Sequence, residues 1–323
     1  MRAIIPAAGR GTRLRPHTHT LPKVLLNVAG KPIIGHIIEG LQKDGIDALT
    51  VIIGYQGEKV SDYIDANFDI PAKYVIQHER KGLGHAIGMG LEDTDDPALI
   101  LLGDTIFDAD FADILEIDGT TIGVTEVDDP RRFGVVEVDG ALVTKLVEKP
   151  DDPPSNLAIM GIYKIASQRR LKSAIDEIVE KDITTKGEYQ LTDALQVMIE
   201  QGEKIRISKV KGWYDCGKKE TLLETNRYLL QSKHNGREIE GNIVVPPVYI
   251  GENCEFENSI IGPFTTIGNN TSVKNSIISN SIVGPGTKLT GCNLEGSLIG
   301  EAAVVRGLVQ HLNVGDHSEI DFS

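Results

Sequence analysis

The chain has 323 residues, of which 40% are hydrophobic and 25% are charged, and its formal net charge is -14. This length allows two domains with separate cores, and the acidic balance argues against binding to nucleic acid or to an anionic membrane, because both depend on clustered lysine and arginine. The sequence contains no apolar run long enough to span a bilayer, and its apolar N-terminal stretch is too short for a signal peptide. We therefore expect a cytoplasmic protein.

The N-terminal part of the chain alternates short apolar runs with amphipathic segments. The runs RAIIP, ALTVIIG, KYVIQ and ALILLGD predict buried strands, and helices are predicted between them, including Glu58 to Asn67 and Gly84 to Leu91. Continuous Val, Ile and Leu strands that alternate with helices are typical of a parallel sheet covered on both faces. Ligands of such sheets bind beyond the carboxyl ends of the strands, where Gln77 and Asp104 stand.

The pattern becomes β-rich from Thr120 onward. The segments TTIGVTEV, FGVVEVDG, ALVTKLVEK and LAIMGIYKI predict strands, with Asp139 and Gly140 in a hairpin turn. Helices are predicted at about 168 to 180, 192 to 201 and 218 to 232. The polar, glycine-punctuated segment 232 to 242 then indicates a boundary between a domain of residues 1–235 and a domain of residues 242–315.

Beyond this boundary, apolar residues recur in steps of five or six. Small residues, Asn and Gly fill the gaps, and the period fits the hexapeptide repeats of a β-helix. The alternative is a small β-sandwich with glycine turns. The recurring residues are Ile250, Phe256, Ile261, Ile267, Val273, Ile278, Val283, Leu289, Leu294, Ile299 and Val305.

The segment AAGRGTRLRPHTHTLPK, residues 7 to 23, is called the N-terminal loop here. It lacks the third glycine of a dinucleotide-binding motif, since Leu14 stands there, and its prolines prevent a helix from starting directly after the glycines. It is not a P-loop either. Backbone N–H groups at Gly9, Gly11 and Thr12 are suited to surround phosphate oxygens, with charge supplied by two cations, Arg13 and Lys23. The loop predicts a triphosphate site.

The N-terminal loop resembles the signature of the sugar-1-phosphate nucleotidyltransferases. The resemblance continues through QHERKGLGHA, LLGDT, FGVVEVDG, VEKP and GWYDCG, and into the C-terminal repeats. It implies a Rossmann-like α/β domain with a mixed, mainly parallel sheet, followed by a left-handed parallel β-helix. It also implies that a nucleoside triphosphate and a sugar 1-phosphate react to give a nucleotide sugar and pyrophosphate.

The same resemblance assigns roles to individual residues. It implies that Arg13, Lys23 and Asp104 are catalytic, with Arg13 on the leaving phosphates and Lys23 near the α-phosphate. Asp104 and Asp215 resemble the two carboxylates that hold Mg²⁺, the implied cofactor. Gln77 and Gly82 resemble the pyrimidine-reading pair. Nucleotide binding is assigned to Ala8, Gly9, Gly11, Thr12, Arg13, Gln77, Gly82 and Asp104, and sugar-phosphate binding to Gly134, Glu148 and Lys149.

Three residues depart from the thymidylyltransferase pattern, namely Ala8, Thr105 and Cys216, and both PAAGRGTR and KGLGHA also resemble uridylyltransferases. We expect dTTP and glucose 1-phosphate as substrates, with a UTP-dependent uridylyltransferase as the alternative. An added acyltransferase activity is less expected, because residues 242 to 310 contain no histidine. A non-catalytic regulatory protein would be expected to have lost Arg13, Lys23, Asp104 or Asp215. The open ends of a β-helix predict a homo-oligomer.

Overall fold

A computed structural model describes residues 1–107, 111–231, 238–307 and 312–321. By its internal contacts the chain divides into two compact units, each built from two segments. The sheet unit comprises Met1–Gly9 and Ile37–Trp213, and the coil unit comprises Arg10–His36 and Tyr214–Ser323. The predicted boundary at 232 to 242 lies partly outside the described residues, and the division into residues 1–235 and 242–315 stays a prediction.

Strands and helices follow one another closely up to residue 231. The strands are β1 (Arg2–Pro6), β2 (Asn27–Val28), β3 (Lys31–Pro32), β4 (Ala48–Ile53), β5 (Ala72–Ile76), β6 (Ala98–Leu101), β7 (Thr105–Phe107), β8 (Thr120–Glu126), β9 (Gly134–Asp139), β10 (Leu142–Glu148), β11 (Leu157–Ile165), β12 (Ile205–Lys209) and β13 (Trp213–Asp215). The α-helices are α1 (Ile33–Lys43), α2 (Gly57–Asn67), α3 (Leu83–Gly90), α4 (Ala112–Leu115), α5 (Gln168–Glu180), α6 (Leu191–Glu200) and α7 (Lys219–Gln231).

The sheet unit is built on nine strands in the order β5-β4-β1-β6-β11-β8-β12-β10-β9. The pairs that join β5, β4, β1 and β6 are parallel, which confirms the predicted parallel sheet for this half. In the other half only β8 and β12 pair in parallel, and the remaining pairs are antiparallel. The prediction of a mixed sheet is confirmed, but "mainly parallel" is wrong, because β9, β10 and β11 are joined without crossover helices.

One large apolar cluster of the sheet unit lies between the sheet and three helices. Residues Ile4 and Ile100 on adjacent strands are fully buried, because side chains of parallel strands are covered on both faces. Helices α3, α5 and α6 pack their apolar faces, including Ile87, Ile175 and Leu195, into this cluster. The predicted hairpin is also present: Asp139 pairs with Leu142, and Gly140 has a φ of 61°, which glycine adopts without strain.

In the coil unit, the segment Arg10–His36 folds without a long helix at its start. It forms short 3-10 turns at Thr12–Leu14, His17–His19 and Lys23–Leu25, and then the β2–β3 hairpin. Helix α1 begins only at Ile33. This confirms that the prolines of the N-terminal loop keep a helix from following its glycines, because proline lacks the N–H that a helix needs.

The C-terminal strands form three sheets, and the strands within each sheet are parallel. These strands together are called the coil here. The strand orders of the three sheets are β14-β17-β20-β23, β15-β18-β21-β24-β26 and β16-β19-β22-β25-β27. Each strand pairs with the strand one turn later, as Val248 does with Thr265 and Thr266 with Ile282. The coil strands are β14 (Ile243–Val244), β15 (Val248–Ile250), β16 (Glu255–Glu257), β17 (Ile260–Ile261), β18 (Thr265–Ile267), β19 (Ser272–Lys274), β20 (Ile277–Ser279), β21 (Ile282–Val283), β22 (Lys288–Thr290), β23 (Asn293–Glu295), β24 (Leu298–Ile299), β25 (Val304–Arg306), β26 (Asn313–Val314) and β27 (Glu319–Asp321).

The interior of the coil is filled by the recurring apolar residues. Those from Ile261 to Val305 in the predicted series are buried together, while Ile250 and Phe256 are partly buried against them. Asn258, Asn275, Gly291 and Gly307 occupy corresponding corners with positive φ, which explains Asn and Gly in the gaps. The parallel pairing is consistent with a β-helix and not with an antiparallel sandwich. Within the described ranges, no helix has the length and apolar character needed to cross a membrane.

Candidate functional site

The carboxyl ends of β1, β4 and β6 lie side by side at one edge of the nine-stranded sheet. The N–H of Ala7 donates to the carbonyl of Ile52 at 2.7 Å, and the N–H of Gly103 donates to the carbonyl of Pro6 at 3.3 Å. Gly9 is exposed, and no atom lies within 4 Å of the position that a Cβ would take. Backbone groups at this edge are therefore open to a ligand, as is typical of α/β sheets.

Ala8 lies in the core and not on the surface. It is 7% exposed and belongs to the main apolar cluster of the sheet unit. A Cβ on Gly54 would lie 3.1 Å from the Cβ of Ala8, so the end of β4 passes directly over it. The alanine that departs from the thymidylyltransferase pattern is thus accommodated by a glycine on the neighbouring strand.

Asp104 follows β6 and is half-buried. The hydroxyl of Thr105 donates to its Oδ1 at a long 3.5 Å. The carboxylate therefore stands at the strand edge where the sequence places it. Oxygen ligands of this kind suit Mg²⁺, which takes few protein ligands and uses substrate phosphates for the others. Among the described residues, no three His, Cys, Asp or Glu side chains form a group able to hold a metal by themselves.

Gln77 lies just after β5, and only 7% of it is exposed. Its backbone N–H donates to the carbonyl of Ile53 at 2.8 Å, and its Nε2 lies 3.4 Å from Nδ1 of His85. Burial and the nearby Lys81 lower the pKa of His85 below its ordinary value of 6.5, which favours the neutral ring. A neutral ring can accept from the amide, so His85 orients the Gln77 side chain.

Gly82 is held against the segment that precedes α6. It has a φ of 118°, and an added Cβ would lie 2.5 Å from the carbonyl oxygen of Tyr189. The carbonyl of Tyr189 accepts a hydrogen bond from the N–H of Gly84 at 2.8 Å, and the N–H of Tyr189 donates to the carbonyl of Lys81 at 2.7 Å. Glycine is required at position 82 for conformation and for space.

Gly134, Glu148 and Thr192 come together on β9, β10 and α6. Gly134 pairs with Glu148 across the two strands, and the hydroxyl of Thr192 donates to Oε2 of Glu148 at 2.7 Å. Only 10% of the Glu148 side chain is exposed, whereas 43% of Lys149 is exposed. The Lys149 ammonium lies 2.9 Å from Oε1 of Glu148. A buried, hydrogen-bonded acceptor thus stands beside a more exposed cation, a pair suited to a hydroxyl and a phosphate of one ligand.

In the coil unit, the N-terminal loop folds back on itself around Gly11. This glycine has a φ of 59°, and its carbonyl accepts from the N–H of Leu14 and from the hydroxyl of Thr18, each at 2.8 Å. A Cβ at position 11 would lie 2.9 Å from Cγ2 of Thr18 and 3.0 Å from Cβ of Lys23. Lys23 is buried, while Thr12 and Arg13 are exposed. The turn therefore presents Thr12 and Arg13 to solvent and brings Lys23 beneath the glycine.

Arg13 and Asp215 meet at Gly217. An added Cβ on Gly217 would lie 2.7 Å from Oδ1 of Asp215 and 3.0 Å from Nη2 of Arg13. The two charged groups therefore flank a space that only glycine leaves open. Cys216, between Asp215 and Gly217, is fully buried, and its Sγ lies 3.7 Å from the hydroxyl of Thr225, which helps to fix this short segment.

Sequence reasoning missed three of these residues. In the sequence, His85 and Gly217 are only parts of the motifs QHERKGLGHA and GWYDCG, and Thr192 is only part of the helix predicted at 192 to 201. The sequence marks Thr192 only as a polar residue in the first turn of a predicted helix, next to Asp193. Thr192 contacts Glu148 from 44 residues away and Gly217 lies beside the distant Arg13, so the local sequence contains little information about these two roles. His85 lies only eight residues after Gln77, but the sequence does not show that the two side chains meet.

A family model described as nucleotidyl transferase matches residues 2–232. The bifunctional protein GlmU of Methanocaldococcus jannaschii is 39% identical over 250 residues, which cover 76% of this chain and 59% of that protein. The chain thus spans about three fifths of that relative. UTP--glucose-1-phosphate uridylyltransferase AglF of Haloferax volcanii is 32% identical over 249 residues, 74% of this chain and 100% of that protein.

Among solved structures, the chain is similar to a Bacillus anthracis protein described as a glucose-1-phosphate thymidylyltransferase in complex with a sucrose. The TM-score is 0.62 and the identity is 27%, over 74% of this chain and 98% of the other. Over the covered part, the present chain and that protein share the same α/β architecture.

Proposed function

The chain belongs to the nucleotidyl transferase family and is a sugar-1-phosphate nucleotidyltransferase, and from this premise we propose that it transfers a uridylyl group from UTP to a sugar 1-phosphate. A phosphate oxygen of the sugar 1-phosphate attacks the α-phosphorus, the bond from that phosphorus to the bridging oxygen of the β-phosphate breaks, and pyrophosphate leaves. Positioning and charge neutralisation supply most of the rate in such a transfer.

The observation that best supports a pyrimidine base is the buried amide of Gln77 beside His85. An amide has a donor and an acceptor, and therefore matches the carbonyl and N–H on the edge of uracil or thymine. The backbone at Gly82, held by Tyr189, is proposed as the second base contact. UTP is placed first because AglF, which is named as a UTP-dependent uridylyltransferase, is matched over its entire length.

A second candidate is thymidylyl transfer from dTTP to glucose 1-phosphate. The sequence favours it, and the Bacillus anthracis structure, covered over 98% of its length, carries that description. Thymine differs from uracil by one methyl group, and a single methyl in a pocket is worth only about 10- to 200-fold in kcat/KM. A direct competition between UTP and dTTP will therefore distinguish the two candidate functions better than a test for activity with either triphosphate alone.

The remaining roles are proposed residue by residue. Arg13 would neutralise the leaving phosphates, and Lys23 would neutralise charge at the α-phosphate. Glu148, held by Thr192, would accept from sugar hydroxyls, and Lys149 would bind the sugar phosphate. Asp104 and Asp215 are proposed as ligands of Mg²⁺, which would offset phosphate charge when bound. The left-handed coil, the homo-oligomer and the cytoplasmic location likewise remain proposals.

The decisive experiment is a pyrophosphate-release assay on the full chain with Mg²⁺. UTP, dTTP, CTP, ATP and GTP are each paired with glucose 1-phosphate, N-acetylglucosamine 1-phosphate and galactose 1-phosphate. We expect the highest kcat/KM with UTP, dTTP second, and little release with purines. A clear preference for dTTP would select the second candidate, whereas purine preference would overturn both. A parallel arm with acetyl-CoA and aminosugar phosphates tests for acyl transfer, because the GlmU relative is bifunctional.

A further inference from the structure

The last described turn of the coil contacts the N-terminal loop. The Nε2 atom of His17 lies 2.5 Å from Oδ1 of Asn313 on β26, and Nδ2 of Asn313 donates to the carbonyl of Arg15 at 3.3 Å. One asparagine side chain therefore uses its acceptor and its donor on two residues of the loop. His17 is buried, so the first of these hydrogen bonds is shielded from water.

Neighbouring contacts reinforce this anchor. The hydroxyl of Thr20 donates to Asp316, whose other carboxylate oxygen accepts from the N–H of Glu301 at 2.8 Å. A Cβ on Gly315 would lie 3.0 Å from Cβ of Pro16, so the backbone of the coil passes close to the loop. The loop and the coil are thus joined by the hydrogen bonds of Asn313 and Asp316 and by close packing of Pro16 against Gly315.

A second anchor holds the β2–β3 hairpin further along the same segment. Oδ1 of Asn226 on α7 accepts from the N–H of Ala29 at 2.8 Å and from the hydroxyl of Thr266 at 2.7 Å. Its Nδ2 donates to the carbonyl of Phe264 at 3.2 Å, and the asparagine is fully buried. Gly30 leaves room for the ring of Tyr249, which a Cβ would approach to 2.3 Å.

The two anchors lie on either side of Lys23 in the sequence, and the first begins two residues after Arg13. We propose that Asn313 is a positioning residue of the transferase, which acts through His17 and Arg15 to hold the N-terminal loop in the conformation that binds triphosphate. This rests on the proposed function of Arg13 and Lys23. The coil then contributes to catalysis as well as to assembly. In agreement with this role, Arg10–His36 belongs to the same compact unit as the coil.

The physical reason is the cost of ordering a loop. The Arg10–Lys23 stretch consists largely of short turns, and fixing each of its residues in one backbone conformation costs conformational entropy. If the loop is already fixed before the substrate binds, this loss of entropy does not weaken substrate binding. Misplacement of a positioning group by about 1 Å can reduce the rate about 100-fold, so support of a loop backbone is sufficient to affect turnover.

The test compares Asn313→Ala, Asn313→Asp and the control Asn293→Ala in the full chain. Asn293 is an exposed coil asparagine on β23, in a different sheet from β26. Asn313→Ala removes both hydrogen bonds. Asn313→Asp keeps an acceptor for His17 and loses the donor to Arg15. We expect kcat/KM for the triphosphate to fall roughly tenfold in the alanine variant and less in the aspartate variant, with KM for the sugar 1-phosphate and the Asn293→Ala enzyme unchanged.

Hydrogen exchange gives a readout that does not need activity. The peptide over residues 10–23 should exchange faster in Asn313→Ala, whereas strands of the nine-stranded sheet should not change. A double-mutant cycle with His17→Ala should be non-additive, because the two residues share one hydrogen bond. An inactive wild type would sink the proposed function, with exchange still testing the anchor. An active wild type with unchanged kinetics or unchanged loop exchange in Asn313→Ala would overturn the positioning role.

Discussion

Gly134 and Glu148 face each other across the antiparallel pair β9–β10, so closely that a Cβ at position 134 would lie 3.0 Å from Oε2 of Glu148. The same Cβ would lie 3.1 Å from the hydroxyl of Thr192, the group that donates to Glu148. Position 134 therefore controls the geometry of a carboxylate without contributing a side chain. The position of the Glu148 carboxylate depends on the space that Gly134 leaves, and replacing Gly134 by alanine tests this by adding one methyl group.

We predict that Gly134→Ala and Thr192→Val raise KM for the sugar 1-phosphate by on the order of tenfold, while KM for the triphosphate changes little. The added methyl would displace Oε2 of Glu148, and valine would remove the donor that orients it. Steady-state kinetics with each substrate varied in turn checks this. Equal increases in both KM values would argue against a role limited to the sugar.

Gly217 offers a second test of space. The predicted effect of Gly217→Ala is a loss of kcat on the order of 100-fold, because the new Cβ would push Asp215 and Arg13 apart. Gly217 does not have a positive φ, so its replacement introduces no backbone strain of that kind. Circular dichroism should therefore report a folded variant. Wild-type turnover in this variant would show that the two charged groups tolerate displacement.

Gly82 is constrained both by its positive φ and by its close contact with Tyr189, whereas Gly45 has only the positive φ. Comparing the two positions separates the effects of backbone conformation and of contact. Both have positive φ, but nothing lies within 4 Å of a Cβ on Gly45. Gly45→Ala should cost roughly 1–2 kcal/mol of unfolding free energy from the backbone alone. Gly82→Ala should cost more and should also raise KM for the triphosphate, because it displaces Tyr189. Urea unfolding and kinetics on both variants give the comparison. Equal destabilisation of the two would discount the Tyr189 contact.

The sequence predicted what depends on local patterns. Buried strands such as β1 and β6 are continuous apolar runs, the prolines of the N-terminal loop exclude a helix, and the coil residues repeat because each turn repeats the same environment. It could not predict that β11 runs antiparallel to β6 and β8, because strand direction depends on the partner chosen in space.

Contacts between distant residues were beyond the sequence for a related reason. His17 and Asn313 are 296 positions apart. His17 lies within the N-terminal loop, but nothing in the sequence links that motif to Asn313. Residues Thr192 and Glu148 are 44 apart, and only the fold makes the threonine a partner of the carboxylate. The charged residues proposed for the site were therefore predicted from the sequence, whereas the residues that contact them are visible only in the structure.

The carboxylates proposed for Mg²⁺ can be tested separately. Asp104→Asn and Asp215→Asn should each lose most turnover and need more Mg²⁺ for half-maximal rate, since an amide is a weaker ligand for a hard cation. The exposed Asp69 provides a matched control, Asp69→Asn, with normal magnesium dependence. Thermal unfolding should stay close to wild type in all three. Wild-type activity in excess chelator would eliminate the metal assignment, and unfolding of either site variant would indicate a structural role.

His17 predicts a pH dependence of stability. Burial lowers its pKa below the ordinary 6.5 and outweighs the hydrogen bond to Asn313 and the attraction of Asp316, both of which raise the pKa. Between the folded and unfolded pKa values the unfolded chain binds more protons, so lowering the pH favours unfolding. The stabilisation is complete above about pH 6.5 and is lost as the pH falls toward the lower, folded value.

The measurement is the melting temperature from pH 8 to pH 5 for wild type, His17→Gln and the control His78→Gln, which removes an exposed histidine. His17→Gln should lose less stability on acidification than wild type, because it has no buried ring to protonate, although its stability at pH 8 is lower if glutamine makes a poorer hydrogen bond with Asn313. His78→Gln should follow the wild-type slope. Parallel curves for wild type and His17→Gln would show that protonation of His17 does not destabilise the fold.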